Sequence, residues 1–555
     1  MAVHPYPLRG VAAASLATSY LLVAHASTWW KLGYIITFAS AGLFQSFLWV
    51  FWVVILWPKL FSPLRSLPEP TGNSWYNGQW DRIRRQPTGK PMREWVATVP
   101  NEGVMRYLGL FNSERVLVIG PKALAEVLVT KNYDFEKPAS WRHTIGRILG
   151  VGILLAEGDE HKRQRKNLMP AFAFRHVKDL YPTFWRKTRE GVGAMVQDIR
   201  TKAANQPNEA PKSAVIEVGT WTSRVALDIV GVAGLGRDFE AIKNQDSELL
   251  KTYRSLFSPN RQAQILALLG MIFSERLLTL LPVNHNNNVN HASQYIRAVC
   301  RELIADKKQK IARKEPTEHD ILSVALESGG FTDEELVDQL MTFLAAGHET
   351  TATSMTWAIY QLAKMPEVQD KLRKEIREKL PPLESKTDIT SMDIDHMPYL
   401  NAVCNEVLRY WAPVPMTLRD TVRETTILGH VIPKGVRVLM CPMATHFDTE
   451  LWGPDAADFN PDRWMPTGSD DKRAASGGAE SNYAFMTFLH GPRSCIGSSF
   501  ARAEFACILA GWIGRFAFEL ENKEEMDENN VEVKGGITAR PSKGMYVHAT
   551  IVDGW

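Results

Sequence analysis

Cysteine is scarce in this chain. The five present, Cys300, Cys404, Cys441, Cys495 and Cys507, are odd in number and scattered over 555 residues. They build no disulfide framework and point to a reducing compartment for the main domain. Excess charge is lacking as well: 64 basic and 61 acidic residues leave a net charge of +3. With a pI near 8.4, that balance argues against a nucleic-acid partner. No internal repeat is found, and loop-like tracts are short. One is polar, at residues 205–213; the other, rich in Thr, Gly, Ser and Asp at residues 466–481, reads as a disordered surface insertion. The remainder, 45% apolar and 23% charged, has an ordinary globular composition.

Charge is missing altogether from residues 32–57, where Trp49, Trp52 and Trp57 cluster near one end. The run is long enough to cross a bilayer, and too long and too late to be a secretory signal. Lys59, Arg65, Arg82, Arg84 and Arg85 follow it and favour a cytosolic catalytic domain, although Arg9 and Lys31 weaken the bias. An earlier apolar stretch, residues 11–26, is compatible with a second span, an interfacial helix or a loose tail. The expected organisation is a tail with an optional membrane segment (1–31), a transmembrane helix (32–57), a stiff proline-rich connector (58–75) and one large domain (76–555). Helical periodicity dominates residues 171–411, and strand-like runs occur near 115–119 and 425–440. The fold class is therefore mainly α, with a minor β-sheet contributed by both ends.

The strongest chemical signal is Phe488-Leu489-His490-Gly491-Pro492-Arg493-Ser494-Cys495-Ile496-Gly497, followed by an apolar helical pattern over residues 498–520. A cysteine at a helix mouth suits a thiolate ligand to haem iron, and such a ligand favours O–O cleavage. Gly491 and Gly497 would let the backbone turn and approach the sulfur closely. Arg493 would reach a haem propionate, and Phe488 would keep water from the ligand. Cys507, on the apolar face of the same helix, reads as a buried structural thiol.

A second signal lies on a helix opened by a capping box at Thr332 and Glu335. It contains Ala345-Ala346-Gly347-His348-Glu349-Thr350-Thr351, a breach of helix preference of the kind found at functional sites. Ala346 and Gly347 would open a groove for dioxygen, and Glu349 and Thr350 would carry protons to it. His161 and Arg165, at i and i+4, could clasp propionates from the opposite edge. Lys162, Arg163 and Lys166 read as a basic solvated helix face that could also form part of a positive docking face for an acidic electron donor. Glu406 and Arg409 share a helix face in apolar surroundings, where a carboxylate needs more than one partner, and Arg463 is the candidate second cation.

Together the cysteine loop, the Ala-Gly-His-Glu-Thr-Thr helix, the Glu406/Arg409 pair and the Phe459-Asn460-Pro461-Asp462-Arg463-Trp464 segment resemble the cytochrome P450 family over about residues 70–550. The resemblance implies the helical haem-thiolate monooxygenase fold, haem b with Cys495 as its proximal ligand, and an anchor in the endoplasmic reticulum membrane with the catalytic domain in the cytosol. It implies electrons from an NADPH–cytochrome reductase, with cytochrome b5 as an additional donor. It adds Arg419 as a further propionate contact, with residues 414–418 lining the pocket. Three positions depart from the commonest family pattern: His161 stands where tryptophan is frequent, Glu349 replaces aspartate, and residues 466–481 are extra. The enclosing segments carry Ile145, Ile148, Leu149, Ile153 and Leu154, then Leu266, Leu268, Leu269, Met271, Ile272 and Phe273, about half of them expected to be core. A lipophilic substrate follows, and the family style suggests a fungal terpenoid or polyketide. A fatty-acid or xenobiotic hydroxylase, a haem-thiolate isomerase needing no external electrons, and a haem-based sensor are the alternatives.

Overall fold

The computed structural model describes all residues except 1–6, 26–29, 31, 86, 206–211, 246, 250, 253–260, 271–278, 280, 282, 316–319, 467–473 and 535. The chain forms two compact units, residues 1–136 with 416–444, and residues 137–415 with 445–555.

The first unit combines the N-terminal helices with a five-stranded sheet. In spatial order its strands are Val104–Leu108, Glu114–Val118, Arg437–Met440, Thr417–Thr421 and Phe135–Glu136. Glu114–Val118 runs parallel to Arg437–Met440, which is how distant parts of the sequence come to share one sheet. Met105 and Tyr107 of the first strand, Leu117 of the second and Leu439 of the third share one core with Ile119. Helix Leu8–Tyr20, continued by a wider turn over Leu21–His25, packs on helix Tyr34–Phe51.

The apolar helix runs past Trp57 as a wider-wound segment, Trp52–Phe61, with Pro58 inside it. The reason is local: Pro58 has no N–H, so the carbonyl of Val54 loses its ordinary helical donor. Asn112 Nδ2 donates to that carbonyl at 2.8 Å instead. Arg106 donates to the Pro58 carbonyl at 2.5 Å, and Trp57 Nε1 to Glu114 Oε2 at 3.1 Å. The helix end is thereby clamped onto the first two strands. Residues 63–66 form a single tight turn capped by Ser62.

The second unit is helical. Its centre is the 32-residue helix Asp333–Lys364, which begins with the expected capping box: Glu335 N–H donates to Thr332 Oγ1 and Thr332 N–H to Glu335 Oε2. Helices Val218–Ile229, Asn284–Ala312, Pro398–Tyr410 and Ser498–Arg515 pack on it, and Tyr181–Ala204 packs on the first and last of these. Trp185, Trp357 and Trp512 are fully buried among them, and Trp357 stacks on Trp411 at 3.9 Å. A three-stranded antiparallel sheet, Ser213–Glu217, Tyr546–Ile551 and Phe516–Leu520, closes this unit. Sequence pattern did not reveal it, because its strands come from three distant segments. The 466–481 insertion lies partly outside the described residues. Its end does not follow the expectation of a disordered loop: Ala474–Ser476 form a turn, and Ala479 is buried beside Trp452 and Trp464.

Candidate active site

The cysteine loop is a closed backbone structure. Leu489 and Gly491 both take the left-handed conformation (φ 54° and 74°), which Gly491 adopts without the Cβ penalty. The Cys495 N–H donates across the loop to the Phe488 carbonyl at 2.8 Å. Helix Ser498–Arg515 starts directly after Gly497. Gly497 itself corrects the sequence expectation: its φ is −87°, and an added Cβ would only reach ordinary contact with Phe172 at 3.7 Å. No tight turn requires glycine there.

Cys495 is exposed, whereas the other four cysteines are buried. Desolvation pushes the thiol up, opposed by a hydrogen bond from the Gly497 N–H and by the charge of the Arg165 guanidinium. Those two opposing interactions are the donors a thiolate needs. Arg165 also donates to the Ser494 carbonyl at 2.6 Å and to Ser494 Oγ at 3.2 Å, so it braces the residue before the cysteine. Phe488 is half-buried, with the Arg502 guanidinium 4.9 Å above its ring.

Arg493 is buried and pairs with Glu157, a partner the sequence reading did not name. Glu157 also accepts from the Lys137 N–H at 2.9 Å. His161 lies in this group, 2% exposed, and its Nδ1 has no hydrogen-bond partner among the described residues. Burial first, then Arg493 and Lys137, hold its pKa down to about 4. Arg493 and Lys137 thus meet the Glu157 carboxylate beside a neutral imidazole with an open nitrogen, with the Arg165 charge nearby. The open imidazole nitrogen and this cationic edge fit an anionic group such as a propionate. Lys162 pairs with Asp159, and Arg163 with Glu160 and Glu335; Lys166 is exposed.

On the long helix, burial is continuous at residues 339–344 and 351–363 but lapses over Ala345–Thr350 apart from buried His348, and Ala346 is exposed. Thr350 Oγ1 donates to the Ala346 carbonyl at 2.8 Å, and Thr351 Oγ1 lies 3.3 Å from the Gly347 carbonyl. Such back-bonding loosens a helix without breaking it. A Cβ on Gly347 would come within 3.1 Å of Val230, so this glycine serves helix packing rather than only the groove. Glu349 accepts from Thr538 Oγ1 at 2.8 Å and lies 3.8 Å from Arg540. Phe343 and Phe172 meet edge to face at 5.4 Å.

The long helix is tied to the cysteine helix by Thr351 Oγ1, which donates to Glu504 Oε2 at 2.9 Å. Glu504 is fully buried, and burial raises its carboxyl well above the usual carboxylate range. Sequence reasoning missed it. Its signal is a lone acid within an apolar helix.

Glu406 and Arg409 are both 0% exposed. Arg409 donates to both Glu406 oxygens, to the Ala456 and Asp458 carbonyls and to the His446 carbonyl. Arg463 supplies the second cation at 3.3 Å, and Trp464 Nε1 donates to Glu406 at 2.9 Å. Arg419 belongs to the first unit, buried on strand Thr417–Thr421, where it donates to Thr417 Oγ1 and the Leu418 carbonyl. Ile145, Leu149 and Ile153 are core; Ile148 and Leu154 are half-buried. Met271, Ile272 and Phe273 lie outside the described residues.

His446, also missed, sets the entry to the cysteine loop. Its Nδ1 lies 2.6 Å from the Arg409 carbonyl, and its Nε2 accepts from the Met486 N–H at 2.7 Å. Only the neutral ring satisfies both, and burial holds its pKa down to about 3. Below pH 6.5 the unfolded chain takes up a proton that the folded chain refuses, so stability falls as pH drops from about 6.5 to about 3. Above that window the residue is neutral in both states. We expect the difference in melting temperature between wild type and His446→Gln to shrink steadily from pH 7 to pH 4. A difference independent of pH would refute the assignment.

An exposed thiol at a helix mouth, a cationic edge and a threonine-bearing helix tied to the cysteine helix fit a haem-thiolate centre. The family comparison agrees: the cytochrome P450 family's sequence model matches residues 68–548, and the chain belongs to the cytochrome P450 family. It is a monooxygenase of that family, an oxidoreductase with a haem-thiolate centre that requires a redox partner. It is 45% identical over 537 residues to cytochrome P450 monooxygenase FUM15 of Gibberella moniliformis, covering 89% of this chain and 90% of that protein. It is 45% identical over 507 residues to cytochrome P450 monooxygenase sphH of Aspergillus fumigatus (90% and 91% covered). A third relative, cytochrome P450 monooxygenase ALT8 of Alternaria alternata, is 41% identical over 569 residues, with 94% of each chain covered.

Proposed function

We propose that this chain is a membrane-anchored, NADPH-dependent monooxygenase that hydroxylates or epoxidises a lipophilic secondary metabolite, a terpenoid or polyketide. The observation that carries the reading is the single exposed cysteine, Cys495, with the Gly497 N–H and Arg165 directed at it. Haem b, bound through Cys495, would supply oxygen activation. Arg165, Arg493 and His161 would hold its propionates. The fungal origin of the relatives and the apolar, half-buried Ile148, Leu154 and Phe172 support the substrate class. The helix Tyr34–Phe61, charged only at Lys59 near its end and long and apolar enough to cross a membrane, supports residence in the endoplasmic reticulum membrane with the catalytic part in the cytosol. An NADPH–cytochrome reductase, with cytochrome b5 as a second donor, would then be the electron source.

Glu349 and Thr350 handle protons in this reading. Glu349 is held by Thr538 and by half-exposed Arg540, which gives it access to solvent. Thr350 keeps its hydroxyl at the exposed stretch beside Ala346. Protons pass from solvent through Glu349 and bridging water to the Thr350 hydroxyl. We expect Thr350→Ala to keep haem but divert reducing equivalents to peroxide, lowering product per NADPH consumed. Glu349→Gln should slow turnover by about 10²-fold, the lower range for loss of a general acid. Unchanged coupling in Thr350→Ala would count against the route.

A further inference from the structure

The first two helices bury the wrong residues for a water-soluble pair. In their seam lie Ser15, Ser19 and Thr37, all 3% exposed or less. Outside stand large apolar side chains: Leu16 (62%), Ile35 (84%), Leu43 (74%), Phe44 (62%) and Phe47 (64%). Small and hydroxyl residues at the contact with apolar residues facing outward is how helices associate in lipid, where burial of apolar surface between helices gains nothing. The seam is specific. Ser15 Oγ donates to Gln45 Oε1 at 3.4 Å, and a Cβ on Gly42 would stand 3.5 Å from Ser15 Oγ. Near the connection, Trp30 Nε1 donates to Thr37 Oγ1 at 2.8 Å.

This register is antiparallel. Ser15 opposite Gly42 centres the pair between the helices, so the Leu8 end returns to the side where Tyr34–Phe61 meets the sheet. From Leu8 the helix and its wider continuation hold 13 and then 5 residues, about 27 Å at 1.5 Å per residue, close to a hydrocarbon core of about 30 Å. An interfacial helix would show a charged face. After Arg9 this one has no charged residue before its end, and its serines face the partner helix.

We infer that Leu8–His25 is a second membrane-spanning segment, paired with Tyr34–Phe61 as a hairpin in the lipid bilayer. The amino-terminal end then lies on the same side as the catalytic units. Charge placement agrees. A hairpin puts Arg9, Lys59 and Arg65 on one side and leaves only Lys31 on the other. A single span would strand Arg9 and Lys31 together on the far side, against the preference for basic residues in the cytosol.

Protease protection on sealed microsomes carrying the full chain tests this. One version has an epitope tag before Met1; another has the tag inserted between Ser27 and Thr28. The hairpin requires the amino-terminal tag and the catalytic part to be digested or protected together, and the inserted tag to behave oppositely. An amino-terminal tag on the side opposite the catalytic part overturns it, as does an inserted tag on the same side as both. The side on which the catalytic part itself is found reports separately on the proposed cytosolic location. Gly42→Leu, which crowds the seam, should move the amino-terminal tag to the opposite side in at least part of the population. A Gly42→Leu population identical to wild type would show that the seam does not hold the pair.

Discussion

A Cys495→Ala variant is expected to lose the red-shifted carbon monoxide band of the reduced protein, and product formation should fall to background. The fold should hardly change. Cys495 is the exposed cysteine of the five, and truncating an exposed side chain away from special contacts changes stability by only about ±0.5 kcal/mol. Its N–H bond to Phe488 is made by backbone and survives the substitution. Melting of the haem-free protein would therefore match wild type while the spectrum would not. The control is Cys507→Ala. That thiol is buried, and burial raises it far above its ordinary value, so its loss should leave the band in place. A red-shifted band persisting in Cys495→Ala would remove the assignment of the ligand.

The second large effect is structural. Arg409→Ala should cost about 3–5 kcal/mol, the usual penalty for leaving one member of a buried ion pair uncompensated. Against a typical total of about 5–15 kcal/mol, that is a large share. The loss should appear as low yield of haem-bearing protein and a much lower denaturant midpoint. Glu406 would be left with Arg463 at 3.3 Å and Trp464 at 2.9 Å, but three carbonyls would lose their donor. Arg409→Lys separates charge from geometry. It keeps the cation but cannot serve two carboxylate oxygens and the carbonyls of His446, Ala456 and Asp458 at once. We expect it to recover less than half of the lost stability. Full recovery by lysine would mean that charge alone matters here.

The same cluster shows what could be read from the chain. Glu406 and Arg409 are three residues apart, and Arg463 stands in a compact neighbouring motif, so local spacing sufficed. The capping box at Thr332 and the cysteine loop were legible for the same reason: each is a short segment whose chemistry is complete within a few residues. Partners made by tertiary folding were not. Arg493 and Glu157 are 336 residues apart, Thr351 and Glu504 153, and His446 and Met486 40. Nothing in a one-dimensional pattern joins such pairs. Two glycines show the same limit: nothing in the sequence signals that Gly347 also makes room for Val230, or that the backbone at Gly497, with φ −87°, needs no glycine for its turn.

The proline at the end of the apolar helix has a mechanical consequence. Because Asn112 and Arg106 take up the carbonyls of Val54 and Pro58, the anchor meets the sheet unit as a clamped beam rather than a leash. Any lean of the helix forced by bilayer thickness becomes a lean of the strands. The attitude of that sheet to the lipid surface is then set by two side chains and one missing N–H.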